Sequence, residues 1–158
     1  MSIRGHLYNR AVKPTFEVRR ALWPQDAEPL RAVREAVFVR EQSVPIELEW
    51  DGMDGECLHV LAIDQAGRPI GTGRLLPDGH IGRMAVLPQW RHRGVGGAIL
   101  KELIEAARER SLAEIVLNAQ THAQGFYARF GFVSEGAEFL DAGIPHRTMR
   151  RPVTASVG

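Results

Sequence analysis

The chain has 158 residues, 44% hydrophobic and 25% charged, with 20 Lys and Arg against 19 Asp and Glu for a formal net charge of +1. That length and balance suit one globular domain with a substantial core, and they give no global reason to expect a nucleic-acid partner. Cys57, the one cysteine, excludes an internal disulfide framework and suits a reducing cytoplasm, the expected location.

Residues 1–14, "MSIRGHLYNRAVKP", carry charge throughout and lack the apolar centre of a secretion signal, so they are expected to form a flexible leader. A domain over 15–152 and a flexible tail over 153–158 complete the expected division. No apolar run approaches the ~20 residues of a membrane-spanning helix, so no membrane partner is expected. "FEVRRA" from Phe16 predicts a strand. "PQDAEPLRAVREAVFVREQ" predicts a helix, with Leu30, Val33, Val37 and Phe38 recurring at three and four residues. "SVPIELEWDGMDGE" breaks that period and is rich in acids, which predicts a loop with about one helical turn. "CLHVLAID", "IGTGRLLP" and "GHIGRMAVLP" read as three successive strands, the last ending at Pro88.

A helix is predicted from Val95, with Ile99, Leu103, Ala106 and Ala107 on its buried side. "AEIVLNAQ" is a further strand. "THAQGFYARFG" is a short helix stopped at Gly131, and "FVSEGAEFL" and "PHRTMRR" close the chain as two strands. The fold class is therefore α/β (α+β): one domain with a sheet of six or seven strands and helices on its faces.

The segment joining the third of the successive strands to the Val95 helix reads "WRHRGVGGA". Glycine is a poor helix former, yet Gly94, Gly96 and Gly97 stand where this helix begins. The first turn of a helix has N–H groups without intrahelical partners and the positive end of the macrodipole. Glycines let an anion approach those amides without meeting a Cβ, and Arg91 and Arg93 add charge. The pattern is a phosphate cradle, but not a P-loop, since no Gly-Lys-Ser or Gly-Lys-Thr occurs. It is not the dinucleotide fingerprint either, because the position of the third glycine holds Ile99.

Arg91-x-x-Gly94-x-Gly96 resembles the pyrophosphate-loop signature of the GCN5-related N-acetyltransferase superfamily. "IGRMAVLPQWRHRGVG" is similar to its splayed strand and loop, and "NAQTHAQGFYARFGF" to its later strand and tyrosine-bearing helix. "VFVREQSVP", "DGMDGECLHVLA" and "AGIPHRTM" resemble its ElaA-like group. The resemblance spans about residues 16–151 and implies a mixed, mostly antiparallel sheet with a central splay.

It also implies acetyl-CoA as co-substrate, with no metal, and a small-molecule or peptide amine as acceptor. On this reading the cofactor-binding residues are Met84, Ala85 and Val86 along the strand, the loop Arg91, His92, Arg93, Gly94, Val95, Gly96, Gly97 and Ala98, and Asn118 and Tyr127. Tyr127 would act as general acid toward the departing thiolate. Dimers are common in such families, so a homodimer is an expectation of the resemblance.

The general base is open among Glu41, Glu47, Glu49, Asp51, His59, His122 and His146. Glu41 follows the first helix, His122 opens the Tyr127 helix, and Glu47 and His146 are also candidates for contact with the acceptor. The acidic run Glu47, Glu49, Asp51, Asp54, Glu56 reads either as an attractor of cationic acceptors or as a solvated loop. Cys57 and His59 share a strand face, but two such residues make no zinc site. Two other functions remain open from sequence: a non-catalytic acyl-CoA sensor, and an acyltransferase like the acyl-homoserine lactone synthases.

Overall fold

Seven strands form one sheet in the computed structural model, which describes residues 15–154. The expected leader, 1–14, and residues 155–158 of the expected tail lie outside the described residues. In chain order the elements begin with strand β1 (Phe16–Ala21), helix α1 (Ala27–Arg34), a π-helical continuation (Glu35–Glu41) and the single turn α2 (Ile46–Glu49). Strands β2 (Leu58–Asp64), β3 (Pro69–Leu75) and β4 (His80–Val86) follow, and then helix α3 (Val95–Glu109) and strand β5 (Glu114–Gln120). Helix α4 (Gln124–Ala128), β6 (Val133–Asp141) and β7 (Ile144–Pro152) complete the fold.

The strand order is β1-β2-β3-β4-β5-β7-β6, and every pairing is antiparallel except β4 with β5. Those two parallel strands share only the register pairs His80↔Val116 and Ile81↔Leu117. Beyond them the strands diverge, leaving the backbone of Gly82–Val86 and Asn118–Gln120 facing a V-shaped gap. The expected central splay is this gap.

Side chains of β2 alternate between two layers, as strand geometry requires. Val60 and Ala62 join the core under α3, whereas Leu61 packs with Leu30 of α1. The two helices therefore cover opposite faces. Ile99, Leu100, Leu103, Ala106 and Ala107 of α3 are fully buried, and each of the three large ones stabilises the fold by about 1.5–3 kcal/mol. Close approach of α3 needs Gly73, where a Cβ would lie 2.7 Å from the Met84 sulfur and 2.9 Å from Ile99 and Leu103.

Opposite Gly73, strand β4 carries a bulge at Arg83, whose φ is +51°. The extra residue shifts the alternation by one, so Ile81 and then Met84 and Val86 face the α3 core while Ala85 packs with Val33 and Val37. A second irregularity follows α1. The N–H of Gln42 bonds to Val37 O at 3.0 Å, five residues back, where a continuous α-helix was expected. At the C-terminal end, Val153 is buried in the core and its N–H bonds to Ala113 O at 3.0 Å, so the ordered domain runs past the expected boundary at 152.

Candidate active site

A cleft of about 1410 Å³ occupies the splay, lined by β4, the β5 end, the start of α3, the π-helical segment and α4. At its mouth, His92 (φ +61°) and Gly94 (φ +88°) adopt left-handed backbone, a geometry that turns successive N–H groups toward a common point. Gly94 caps α3, and the first bond of that helix runs from the Ala98 N–H to Gly94 O at 3.1 Å. Among the described residues, the N–H groups of 92–97 find no acceptor, and no side chain caps the helix. His92, Gly94, Val95, Gly96, Gly97 and Ala98 all line the cleft, so the cradle opens onto free space. Gly96 and Gly97 serve packing as well: a Cβ on Gly97 would lie 3.2 Å from the Phe130 ring and one on Gly96 3.4 Å from Phe126.

Of the two arginines, Arg91 lines the cleft and Arg93 does not. Arg91 donates to both carboxylate oxygens of Glu41 at 2.7 and 2.6 Å, and its Nε–H donates to Val86 O at 3.0 Å. Its charge is thus already compensated, and the pair ties the π-helical segment to the end of β4. The same bonds hold the Glu41 carboxyl below the usual carboxylate range, which makes Glu41 a poor proton acceptor in this arrangement. Arg93 lies over the Trp90 ring at 4.3 Å and is not part of the cleft wall. Lys101 and Arg129 supply cations there instead. Lys101 was legible in principle, since it stands one helical turn beyond Gly97 on the same face.

Tyr127 is buried against Phe126 and Phe132, with ring centroids at 5.0 and 6.0 Å, and it reaches the cleft. Burial pushes its phenol up to about 12. Its hydroxyl has no hydrogen-bond partner among the described residues, so a protonated donor is available. Asn118 faces the same space, its Oδ1 accepting from Thr148 Oγ1 at 2.9 Å, which leaves the amide N–H groups unused.

Met84, Ala85 and Val86 form the β4 wall of the cleft. At the far side Gln120 Nε2 donates to Gln42 Oε1 at 2.9 Å, and His122 Nε2 pairs with Gln120 Oε1 at 2.8 Å. This bridge ties the end of β5 to the π-helical segment, and neither glutamine was singled out by sequence. His146 also lines the cleft, on β7 opposite Gln120.

Three acids of the run, Glu49, Asp51 and Asp54, are held by internal cations, whereas Glu47 and Glu56 are exposed. Arg34 bonds to Glu49 at 2.8 Å and Asp54 at 2.7 Å, and Arg74 bonds to Asp54 at 2.9 Å and to Asp51. Arg83, on the β4 bulge, donates to Glu49 O at 3.1 Å and to Asp51 at 3.3 Å. Three cations meet three carboxylates in a largely buried cluster, as a buried charge requires. Burial pushes Asp51 up, but the Arg74 hydrogen bond, the Met53 amide and the arginine charges outweigh it and bring the carboxyl to about 2. Glu47 is exposed and outside the cleft wall. His59 is buried and stacked on Trp23 at 5.2 Å, and desolvation lowers its pKa, so it sits neutral and away from the cleft.

Comparison with known proteins agrees with this geometry. Residues 25–152 match the family model described as "Acetyltransferase (GNAT) domain". The chain is 45% identical over 123 residues to the uncharacterized N-acetyltransferase YjcF of Bacillus subtilis, covering 75% of this chain and 87% of that protein. An acyl-CoA N-acyltransferase from Pseudomonas aeruginosa superposes with TM-score 0.75 at 31% identity, covering 86% of this chain and 99% of the other. Escherichia coli ElaA superposes with TM-score 0.77 at 28% identity over the same shares, 86% and 99%. A splayed sheet, an open amide cradle at its mouth and these likenesses make the chain a member of the GNAT acetyltransferase family.

Proposed function

We propose that the protein is an acetyl-CoA-dependent N-acetyltransferase that passes the acetyl group to a primary amine by direct attack in a ternary complex. The observation that carries this reading is the run of partnerless amides from His92 to Gly97 at the mouth of the β4–β5 gap. The amides of Val95–Gly97 in the first helical turn, with those of the left-handed turn before it, fit a diphosphate, and Lys101 and Arg129 add the countercharge. The edge of Met84–Val86 that faces away from β3, and the free Asn118 amide, offer the polar groups that a pantetheine arm would need.

In the proposed reaction the amine nitrogen bonds to the thioester carbonyl carbon as the C–S bond breaks. An N–H near Val86 would take up charge developing on the carbonyl oxygen. Tyr127 would donate its hydroxyl proton or a hydrogen bond to the departing sulfur. Glu41 serves to hold Arg91 rather than to accept a proton. An acyl-cysteine route gains no support, since Cys57 is not on the cleft and burial pushes its thiol up. The acceptor is a small-molecule or peptide amine.

Calorimetric titration with acetyl-CoA, followed by thiol release against a panel of amines with products read by mass spectrometry, tests the reading. Saturable binding and release with at least one amine are expected. Binding without turnover on any amine would make this an acyl-CoA sensor instead.

A further inference from the structure

We infer that His146 is the proton acceptor for the incoming amine, an inference that rests on the acetyltransfer reading above. Three observations single it out. First, His146 is only 9% exposed yet lines the cleft, at the start of β7 and in register with Gln120 on the diverging end of β5. Second, its Nδ1 lies 2.7 Å from Ile144 O. A carbonyl oxygen only accepts, so Nδ1 carries the proton and Nε2 presents its lone pair. Third, the ring stacks on Phe139 with centroids 5.9 Å apart and planes 23° apart, which fixes its orientation. Nε2 itself has no hydrogen-bond partner among the described residues.

The other candidates are committed elsewhere. Glu41 is held by Arg91, His59 is buried under Trp23, and Glu47 is off the cleft. His122 is exposed and its Nε2 is taken by Gln120. Charged and titratable groups around His146 are Asp141 in the β6–β7 turn, Arg147 on β7, His122 on the turn before α4, and the Glu41–Arg91 pair across the cleft. Of these, Asp141 makes no ion pair among the described residues.

The step balances as follows. The acceptor enters as its ammonium form; one N–H proton moves to His146 Nε2, and the electron pair this frees on nitrogen forms the new C–N bond. The C–S pair leaves with sulfur, which takes a proton from Tyr127, and the second proton that nitrogen sheds as the amide forms passes to the Tyr127 phenolate and restores its hydroxyl. The imidazolium keeps its Nδ1–H bond to Ile144 O and then releases a proton from Nε2 to water in the cleft.

The test uses the full chain, acetyl-CoA, and spermidine, tyramine, kanamycin and an alanyl-lysine peptide as acceptors, carrying forward the fastest. His146→Asn retains a donor for Ile144 O but has no base, and His146→Gln is its companion should the first fold poorly. The expected result is a fall in kcat/KM of about 10²–10⁴-fold and loss of the acid limb of the parent's pH profile, with the Kd for acetyl-CoA unchanged.

A kcat/KM within threefold of the parent, with the acid limb retained, would overturn the assignment. Long-range ¹H–¹⁵N correlation of the free parent protein is the second measurement: the Nδ1–H tautomer is expected, and an Nε2–H tautomer would overturn it equally. A parent with no thiol release toward any of the four amines would remove the reading of function, and this inference with it.

Discussion

Gly96→Glu separates an anion cradle from a mere packing turn, because it drives stability and binding in opposite directions. Gly96 is the second residue of α3 after its Gly94 cap, and no acidic residue occupies that first turn. A Cβ there would meet the Phe126 ring at 3.4 Å, ordinary contact, so the backbone accommodates a side chain. A glutamate in the first turn of a helix is stabilising by about 0.3–1 kcal/mol.

The same carboxylate would cover the free amides and repel a diphosphate. Loss of two charge-assisted hydrogen bonds, at about 1.5–3 kcal/mol each, weakens binding by about 3–6 kcal/mol, or roughly a hundredfold to ten-thousandfold in Kd. Thermal unfolding should give a melting temperature equal to or above the parent's, while calorimetry with acetyl-CoA should show little or no heat. Gly96→Ala, lacking the charge, should bind within about tenfold of the parent. A folded Gly96→Glu protein that binds acetyl-CoA as tightly as the parent would refute the cradle.

Glu41→Gln should leave kcat within about threefold, since Glu41 is read as the partner of Arg91. A hundredfold loss would make it the base after all. Its effect on stability should be under about 1 kcal/mol, because both partners are more than a third exposed. Tyr127→Phe removes only a hydroxyl from a packed ring, so acetyl-CoA binding should persist while kcat falls about 10²-fold or more. With the phenol pushed up to about 12, the parent's rate should show no loss from tyrosine ionisation below about pH 10.

In the buried cluster, Asp54→Ala strips Arg34 and Arg74 of a shared partner and should cost about 3–5 kcal/mol in chemical denaturation. Asp51 has a folded pKa of about 2, below its unfolded value. Its contribution is complete above the unfolded carboxylate range and is lost as pH falls through about 2, so Asp51→Asn should flatten the acid side of the stability profile. An unchanged acid slope would show that Asp51 is not coupled to Arg74.

Much of this protein is written locally. The three- and four-residue spacing of Ile99, Leu103, Ala106 and Ala107 marks a helix face whatever surrounds it, and all four are fully buried. Glycines at 94, 96 and 97 before that face declare an open helix start, because free amides and a missing Cβ are properties of a few consecutive residues. The strands over residues 58–64, 69–75, 80–86 and 114–120 follow from the same short-range patterning.

Charge partners are another matter, since they depend on which segments the fold brings together. Arg91 reads as a phosphate ligand until Glu41, 50 residues away, closes on it. The acidic run reads as solvated until Arg34, Arg74 and Arg83, from a helix and two strands, converge on Glu49, Asp51 and Asp54. The π-helical turn that carries Glu41 and Gln42 to the cleft has no periodic signature distinct from the helix before it. His146 gains its orientation only from Ile144 O and the Phe139 ring on the neighbouring strand. Backbone preference acts over a turn or two and is legible in one dimension. Electrostatic compensation and proton placement act through space, so tertiary structure alone decides them.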